Sequence, residues 1–424
     1  MLAPYTQAMS AAPTVRVTDA PPATADVVVI GGGVIGCATA FFAARAGLTV
    51  VVLERHAALA TVTTPVSSGA FRLQFDNLEE IDLVREGIEL FEAFDARTGL
   101  AGWDLGLRHG GYLFCSLTDA TVERSRRLVE RQRDWGLTDV ELLSGDEARA
   151  RWRWLSPDVR AARYRAADGW LDPKALAVGF ATAASNADAI PDATPDGGAT
   201  FVTRAAAHEI VVDAGRVQGV RTVRGEIAAA SVVLATGPFL AHTAGLAGIG
   251  IELRPTRRHK LVLPSLAHVP PDAPMTIHEE TAAHWRPFLG GAQALFTDAG
   301  TPPSEPHDPV PIDPEWAFAL LDPRSEHALA RVAPFWREVW ADGAPAAHWF
   351  LQAGQYEVTP DRRPYLGPAG PDGLYLNGGY SGHGIMAGTG GSRRVVDLLT
   401  GEADADANPF RPDRPIHVRE HDIL

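Results

Sequence analysis

Cysteine is nearly absent from this chain: two residues in 424, Cys37 and Cys115. Two thiols cannot build a disulfide framework, and their spacing fits no cysteine metal site, so no metal is expected. Cys37 reads as a small residue at the start of a helix. Basic charge is also short. The 38 Lys and Arg stand against 52 Asp and Glu, a formal net charge of −14, which argues against nucleic acid as a partner. No apolar run reaches the roughly 20 residues that a membrane span needs. The first 25 residues carry a single arginine, Arg16, and no apolar stretch of signal-peptide type. They read as a flexible tail, and a cytoplasmic location is the expectation. No internal repeat is visible. What the chain does have is apolar material, 46% of its residues, enough to bury a large core in two or three domain-sized units.

The stretch from Asp26 to Glu54 is the most informative. A β-branched run, Val27 to Ile30, breaks at Gly31-Gly32-Gly33-Val34-Ile35-Gly36. Helix-forming residues follow from Ala38 to Ala44 and close at Gly47. A second β-branched run, Thr49 to Val52, ends at Leu53 and Glu54. The pattern predicts one strand–turn–helix–strand unit. Gly31 allows the sharp turn, Gly33 lets a pyrophosphate approach the backbone, and Gly36 lets helix and strand pack closely. The helix start, with Val34 and Ile35, presents N–H groups and a positive dipole end to phosphate. Glu54 stands where an acid accepts hydrogen bonds from ribose hydroxyls. A glycine turn used only for packing leaves the placing of that acid unexplained.

Further on, residues 61–75 form a small, polar loop ending in Arg72, Gln74 and Phe75, suited to wrap a cofactor and set a cation beside it. Arg72 in such a loop can equally be a surface ion pair. Helical spacing of apolar residues predicts a core-facing helix over 77–98 and an amphipathic one over 119–135. Leu105 to Leu117 reads as a β-hairpin turning at His109-Gly110-Gly111. Ser144 to Glu147 is a capping box, and Asp172-Pro173 opens another helix. Short strands are predicted across 201–235, ending at Ala235-Thr236-Gly237-Pro238. A second β-rich stretch covers 252–300, including Ala294–Phe296. A proline-rich exposed loop follows at 300–314, then helix at 315–340 and a strand at 348–358.

The C-terminal part repeats the opening theme. A strand at Leu374–Leu376 runs into Gly378-Gly379-Tyr380-Ser381-Gly382-His383-Gly384, and a helix then continues to Gly401. Its N-terminus can stabilise a second negative charge. Two such turns at opposite ends of one chain suggest one extended ligand held at both ends. A flavin dinucleotide fits that description, and an NAD-type cofactor leaves the second turn unused.

Taken together, VVVIGGGVIGCATA with Glu54, SSGAFRLQF, VVLATGPF, YEVTPDRRPYLGP and GLYLNGGYSGHGIMAG resemble the D-amino-acid oxidase, glycine oxidase and sarcosine oxidase superfamily of FAD-dependent enzymes. The segment 168–173 is most similar to the branch that holds a mitochondrial FAD-dependent oxidoreductase-domain protein. The resemblance implies an α/β fold: a doubly wound, Rossmann-like FAD domain and an α+β substrate domain with a mainly antiparallel sheet. The expected division gives 26–104, 145–245 and 354–402 to the first and 105–144 and 246–353 to the second, with tails at 1–25 and 403–424. Gly31, Gly33, Gly36, Glu54 and the neighbouring Arg55 would hold the ADP half. Ser67, Ser68, Thr236 and Gly237 would lie along the cofactor. Gly379, Gly382, His383, Gly384, Ile385 and Met386 would line the flavin ring.

Family members also imply that Arg72 binds a substrate carboxylate and that Tyr356 faces the substrate. His259 and Lys260 lie near where relatives place groups that assist oxygen. Two departures stand out. Gly354 occupies the position of a flavin-linking cysteine, and Ser67 lies near that of a flavin-linking histidine, so FAD is expected to be dissociable. Met386 replaces a substrate-binding lysine, which points away from sarcosine itself. The implied chemistry is hydride transfer from the α-carbon of an amino acid or N-substituted amino acid, giving an imine that water hydrolyses. Oxygen or an electron carrier would then take the electrons. A 2-hydroxy-acid dehydrogenase and a non-catalytic FAD-binding assembly factor are the alternatives.

Overall fold

The computed structural model describes residues 13–296, 301–343 and 349–417. Its centre is a seven-stranded sheet. From one edge the strands run Val17–Thr18, Gly198–Val202, Thr49–Leu53, Val27–Ile30, Ser231–Leu234, Leu374–Gly378 and Tyr365–Pro368. All neighbours are parallel except the last pair. Strands buried on both faces must be apolar throughout, and Val27 to Ile30 is. Their alternation sorts two cores. Val27 and Val29 face the helices Val34–Arg45, Pro173–Ser185 and Gly384–Thr400. Val28 and Ile30 face a three-stranded antiparallel layer, Ala207–Asp213, Arg216–Thr222 and Gly225–Ala228.

The chain order explains where a ligand can sit. From Val27–Ile30 the chain steps outward on one side through Thr49–Leu53 to Gly198–Val202. It then returns to the other side at Ser231–Leu234. Helix connections on either side of this reversal leave a crevice at the carboxyl ends of the strands. Both glycine turns leave the sheet there.

The second layer is an eight-stranded, mainly antiparallel sheet. Its order is Phe350–Val358, Arg254–Leu263, Gly291–Leu295, His284–Phe288, Met275–His278, Tyr112–Ser116, Ala161–Arg165 and Glu141–Ser144. Only the Met275–His278 and Tyr112–Ser116 strands pair in parallel. The helices Pro314–Leu321 and Trp336–Ala341 cover it over a core containing Trp285 and Trp336.

Several expectations need correction. The hairpin at 105–117 does not form. Tyr112–Ser116 pairs instead with Met275–His278 and Ala161–Arg165. The glycines before it serve packing: a Cβ on Gly110 would lie 2.0 Å from the Trp170 ring. Residues 145–165 enter the eight-stranded sheet through Ala161–Arg165, and Phe350–Val358 belongs to it as well. The first strand of the seven-stranded sheet, Val17–Thr18, lies within the expected N-terminal tail, of which residues 1–12 are outside the described part. The strand expected at Ala294–Phe296 starts at Gly291, and the helix expected over 315–340 is two short helices joined by a 3-10 turn at Leu329–Arg331. Among the described residues no helix is long and apolar enough to cross a membrane.

The expected C-terminal tail is also packed. Phe410 is fully buried and its carbonyl accepts from Leu366 N at 2.9 Å, on the sheet edge. Arg414 holds Asp361 through two bonds, Nε to Oδ2 at 2.9 Å and Nη2 to Oδ1 at 2.8 Å. Burial alone would raise the Asp361 carboxyl, but the hydrogen bonds and charge of Arg414 outweigh it and hold the group below its ordinary value. Arg414→Met removes the main counterion of a buried carboxylate, leaving it the Arg363 amide and the Thr359 hydroxyl, and is expected to cost about 3 kcal/mol in urea unfolding at neutral pH. Because the folded-state pKa is depressed, this loss is complete above the unfolded value of about 3.9 and shrinks as pH falls through the folded one. An unchanged urea midpoint at neutral pH would refute it.

Candidate active site

The first turn is shaped by contacts that exclude side chains. Gly31 has φ +113°, and a Cβ there would lie 2.4 Å from the Ala235 carbonyl oxygen. Gly32 N donates to Glu54 Oε2 at 2.9 Å and His56 N to Oε1 at 2.7 Å, which fixes the buried acid at the strand end. At the helix start Val34 N donates to Thr64 Oγ1 at 3.2 Å, so the 61–75 loop is tied to this turn.

The second turn is built the same way. Gly382, at φ +103°, lies against Tyr356, whose ring would be 2.5 Å from a Cβ. Behind the turn, Gly388 makes room for Ile35 and Gly391 for the Tyr380 hydroxyl, which brings the closing helix onto the opening one. Tyr380 Oη donates to Asn377 Oδ1 at 2.5 Å, and Asn377 Nδ2 donates to Thr39 Oγ1 at 2.9 Å and Ser392 Oγ at 3.0 Å.

One cavity of about 360 Å³ touches both turns. Gly31, Gly33, Val34, Ile35, Glu54 and Arg55 line it, as do Ser67, Thr236 and Gly237. His259, Tyr356, Gly382, Gly384 and Ile385 line it too. Gly33 is open on the cavity side: a Cβ would meet only Thr64 Oγ1, at 3.5 Å. One space walled by both glycine turns fits a dinucleotide that carries a second ring system.

The remaining expected site residues stand behind this wall. Gly36 packs on the Gly31 carbonyl. The Ser68 carbonyl accepts from Arg286 and Gln293. Lys260 Nζ donates to the Pro65 carbonyl at 2.8 Å and the Ser67 carbonyl at 3.3 Å, bracing the loop that forms the wall. Burial, with Arg286 adding to it, pushes its ammonium down to about 8. Gly379 N donates to Glu357. Met386 is buried in the closing helix. His259 is on the wall but accepts from Asp313 N at 3.0 Å and stacks on Trp316. Burial and then Arg257 push it down to about 4, so it is neutral near pH 7.

Arg72 is buried rather than a surface cation, and it too lies behind the wall. Its Nη1 donates to the Gln74 carbonyl at 2.6 Å, and its guanidinium sits 4.3 Å from the Phe75 ring centre. Nη2 faces His383 Nε2 at 3.3 Å. A guanidinium has no acceptor, so Nε2 must accept and the His383 proton sits on Nδ1, 3.8 Å from Glu80 Oε1. Arg72 thus supports the second turn through His383.

Two charged cavity residues escaped the sequence reading. Arg258 lines the cavity beside Tyr356, 5.4 Å from its ring centre, with Nη1 donating to the Arg257 carbonyl at 2.9 Å. Glu357 lines the cavity and is buried. A charged residue inside an otherwise strand-like run was the available signal for both.

A family model described as FAD dependent oxidoreductase matches residues 26–398. FAD-dependent oxidoreductase domain-containing protein 1 of Xenopus laevis is 25% identical over 422 residues, covering 90% of this chain and 80% of the relative. Mitochondrial sarcosine dehydrogenase of Homo sapiens is 25% identical over 92% of this chain but only 41% of its own length. Among solved structures, L-proline dehydrogenase from P. horikoshii superposes with a TM-score of 0.77 at 22% identity, covering 92% of this chain and 98% of that one. Glycine oxidase from Geobacillus kaustophilus gives 0.77 at 22%, covering 93% and 100%. Both structural likenesses are of fold.

Proposed function

The chain belongs to the FAD-dependent oxidoreductase family, and from that premise we propose that it oxidises the C–N bond of an amino acid or N-substituted amino acid. The observation that carries this reading is the single cavity bounded by both glycine turns, with a cation and a tyrosine on its wall. Gly31 to Ile35 and Glu54 would hold the ADP half of FAD, and Gly382 to Ile385 its ring. Bound there, FAD supplies a two-electron acceptor for the substrate's hydride. With Gly354 at the wall in place of a cysteine, the cofactor is dissociable.

The protein's own part is orientation. Arg258 offers a guanidinium to a carboxylate, a pairing that can be bidentate. Tyr356, packed against Gly382, sets the substrate's distance from the second turn. The neutral His259 leaves Arg258 as the positive charge that faces the substrate there. An amine that binds unprotonated needs no base to give up its hydride, and the resulting imine hydrolyses in water. Oxygen or an electron carrier would take the electrons.

The test is anaerobic mixing of the yellow protein with D-, L- and N-alkyl amino acids and with 2-hydroxy acids. An amino acid is expected to bleach the flavin. Bleaching by 2-hydroxy acids alone would overturn the amine assignment. Yellow protein that no substrate bleaches would favour a binding or assembly role.

A further inference from the structure

A buried polar network ties the two glycine turns to each other. Tyr380 lies in the second turn, Asn377 on the strand before it, Ser392 on the closing helix and Thr39 on the opening one. None of the four is more than 1% exposed. Tyr380 Oη donates to Asn377 Oδ1 at 2.5 Å. The two protons on Asn377 Nδ2 go to Thr39 Oγ1 and Ser392 Oγ, at 2.9 and 3.0 Å. Both hydroxyls then donate to one carbonyl, that of Ile35, at 2.8 and 3.3 Å. Every polar atom of the four side chains therefore has a partner.

The network runs between the two places where a ligand would be gripped. Ile35 is the second residue of the opening helix, and both Ile35 and Tyr380 line the cavity. Around the network the two helices meet through glycines: Gly388 faces Ile35 and Gly391 faces the Tyr380 hydroxyl. Such smooth contacts permit small slides. Directional bonds in a buried site do not, and a fully satisfied network rigidifies what it joins. The spacing matters for a ligand held at both ends. It outbinds its halves only while the two grips stand as far apart as its linker spans.

We propose that Tyr380 and Asn377 are positioning residues whose network sets the spacing of the two glycine turns, and with it the advantage that a two-ended dinucleotide has over its halves. This rests on the FAD reading above, and the experiment separates the two. The full chain, freed of flavin, is titrated with FAD and riboflavin by fluorescence, and with ADP by competition against FAD. A methyl group on Gly391 would start 2.1 Å from Tyr380 Oη, so Gly391→Ala forces the closing helix and the second turn apart. FAD affinity is expected to fall about 100-fold, while ADP and riboflavin stay within about twofold, because each reports one grip alone. Tyr380→Phe deletes one oxygen and leaves Asn377 Oδ1 without its donor; FAD should weaken about tenfold, again without its halves. This milder variant decides the matter if Gly391→Ala does not fold. With the oxygen gone, the nearest ring atom to the new methyl is Cζ, at 3.0 Å. The double variant should therefore bind FAD more tightly than Gly391→Ala, although it lacks the hydrogen bond. A merely structural role would lower FAD, ADP and riboflavin together, and that result overturns the proposal. So does FAD affinity unchanged in both single variants, or a double variant no better than Gly391→Ala. A wild type that takes up FAD but neither half also overturns it, since each grip must hold by itself. No binding of FAD by the wild type would sink the FAD reading, and the spacing role with it.

Discussion

Gly36→Ala is expected to yield protein that cannot hold FAD. The new methyl group would start 1.8 Å from the Gly31 carbonyl oxygen and 3.4 Å from Val29 Cγ1. Something has to move, and no neighbour is free to. Gly31 is pinned on its other side by the Ala235 carbonyl. The opening helix is buried from Val34 to Ala44. Phe41 packs on Phe180, and Ile35 fills the space left by Gly388. Lifting the helix off the strand therefore disturbs contacts on every side. Overpacking costs typically about 1–3 kcal/mol, occasionally more, and the displaced element is the one proposed above to present its N-terminus to the pyrophosphate. FAD affinity is expected to fall at least about 100-fold, the upper part of that range, together with a lower thermal midpoint. Gly33→Ala is the contrasting variant. A Cβ there meets only Thr64 Oγ1, at 3.5 Å, so the flavin-free fold should keep its stability while FAD binding is lost. Gly36→Ala protein that purifies with a full complement of flavin would refute the account.

Those two glycines also show what the sequence could say. The turn Gly31 to Gly36 is local: strand, helix and acid lie within one short run, and each residue's role follows from its neighbours in the chain. The same holds for the Ser144 and Asp172 caps, both of which form as read. Tyr112–Ser116 was misread because its partners are distant. Local alternation announces a strand but not its neighbour, and the nearby glycines offered a false turn. Ala161–Arg165 carries two arginines, and nothing local indicates that Arg163 is buried beside Gln74, to which it donates at 2.9 Å. Phe410 and Arg414 looked like tail because what they meet, Leu366 and Asp361, lies in another segment.

The site divides along the same line. Residues on the glycine turns could be placed from the sequence, since local backbone shape decides where they lie. Arg72 was named from its loop, but which way the loop faces is a tertiary fact. Arg258 and Glu357 sit on strands whose exposed or cavity-facing side is decided by the eight-stranded sheet as a whole.

The arginines give the second large prediction. Arg258→Met should leave FAD binding intact and raise the half-saturating concentration of a carboxylate substrate about 100-fold, within the worth of a charge-assisted, bidentate pair. The methyl ester of the same substrate has no anionic group for Arg258 to hold, so its half-saturation should barely change. Arg72→Met acts differently. It removes donors from the Gln74 carbonyl and from His383 Nε2 in a buried setting, at a cost of roughly 1–3 kcal/mol for each group left unpaired. His383 immediately precedes the closing helix, so the second turn should loosen, FAD should bind less tightly, and acid and ester should suffer alike. Steady-state kinetics on an acid and its ester with both variants decide the matter. Selective loss of the acid in Arg72→Met, with Arg258→Met unaffected, would make Arg72 the anchor. Its guanidinium would then have to turn away from His383 and the Gln74 carbonyl when substrate enters.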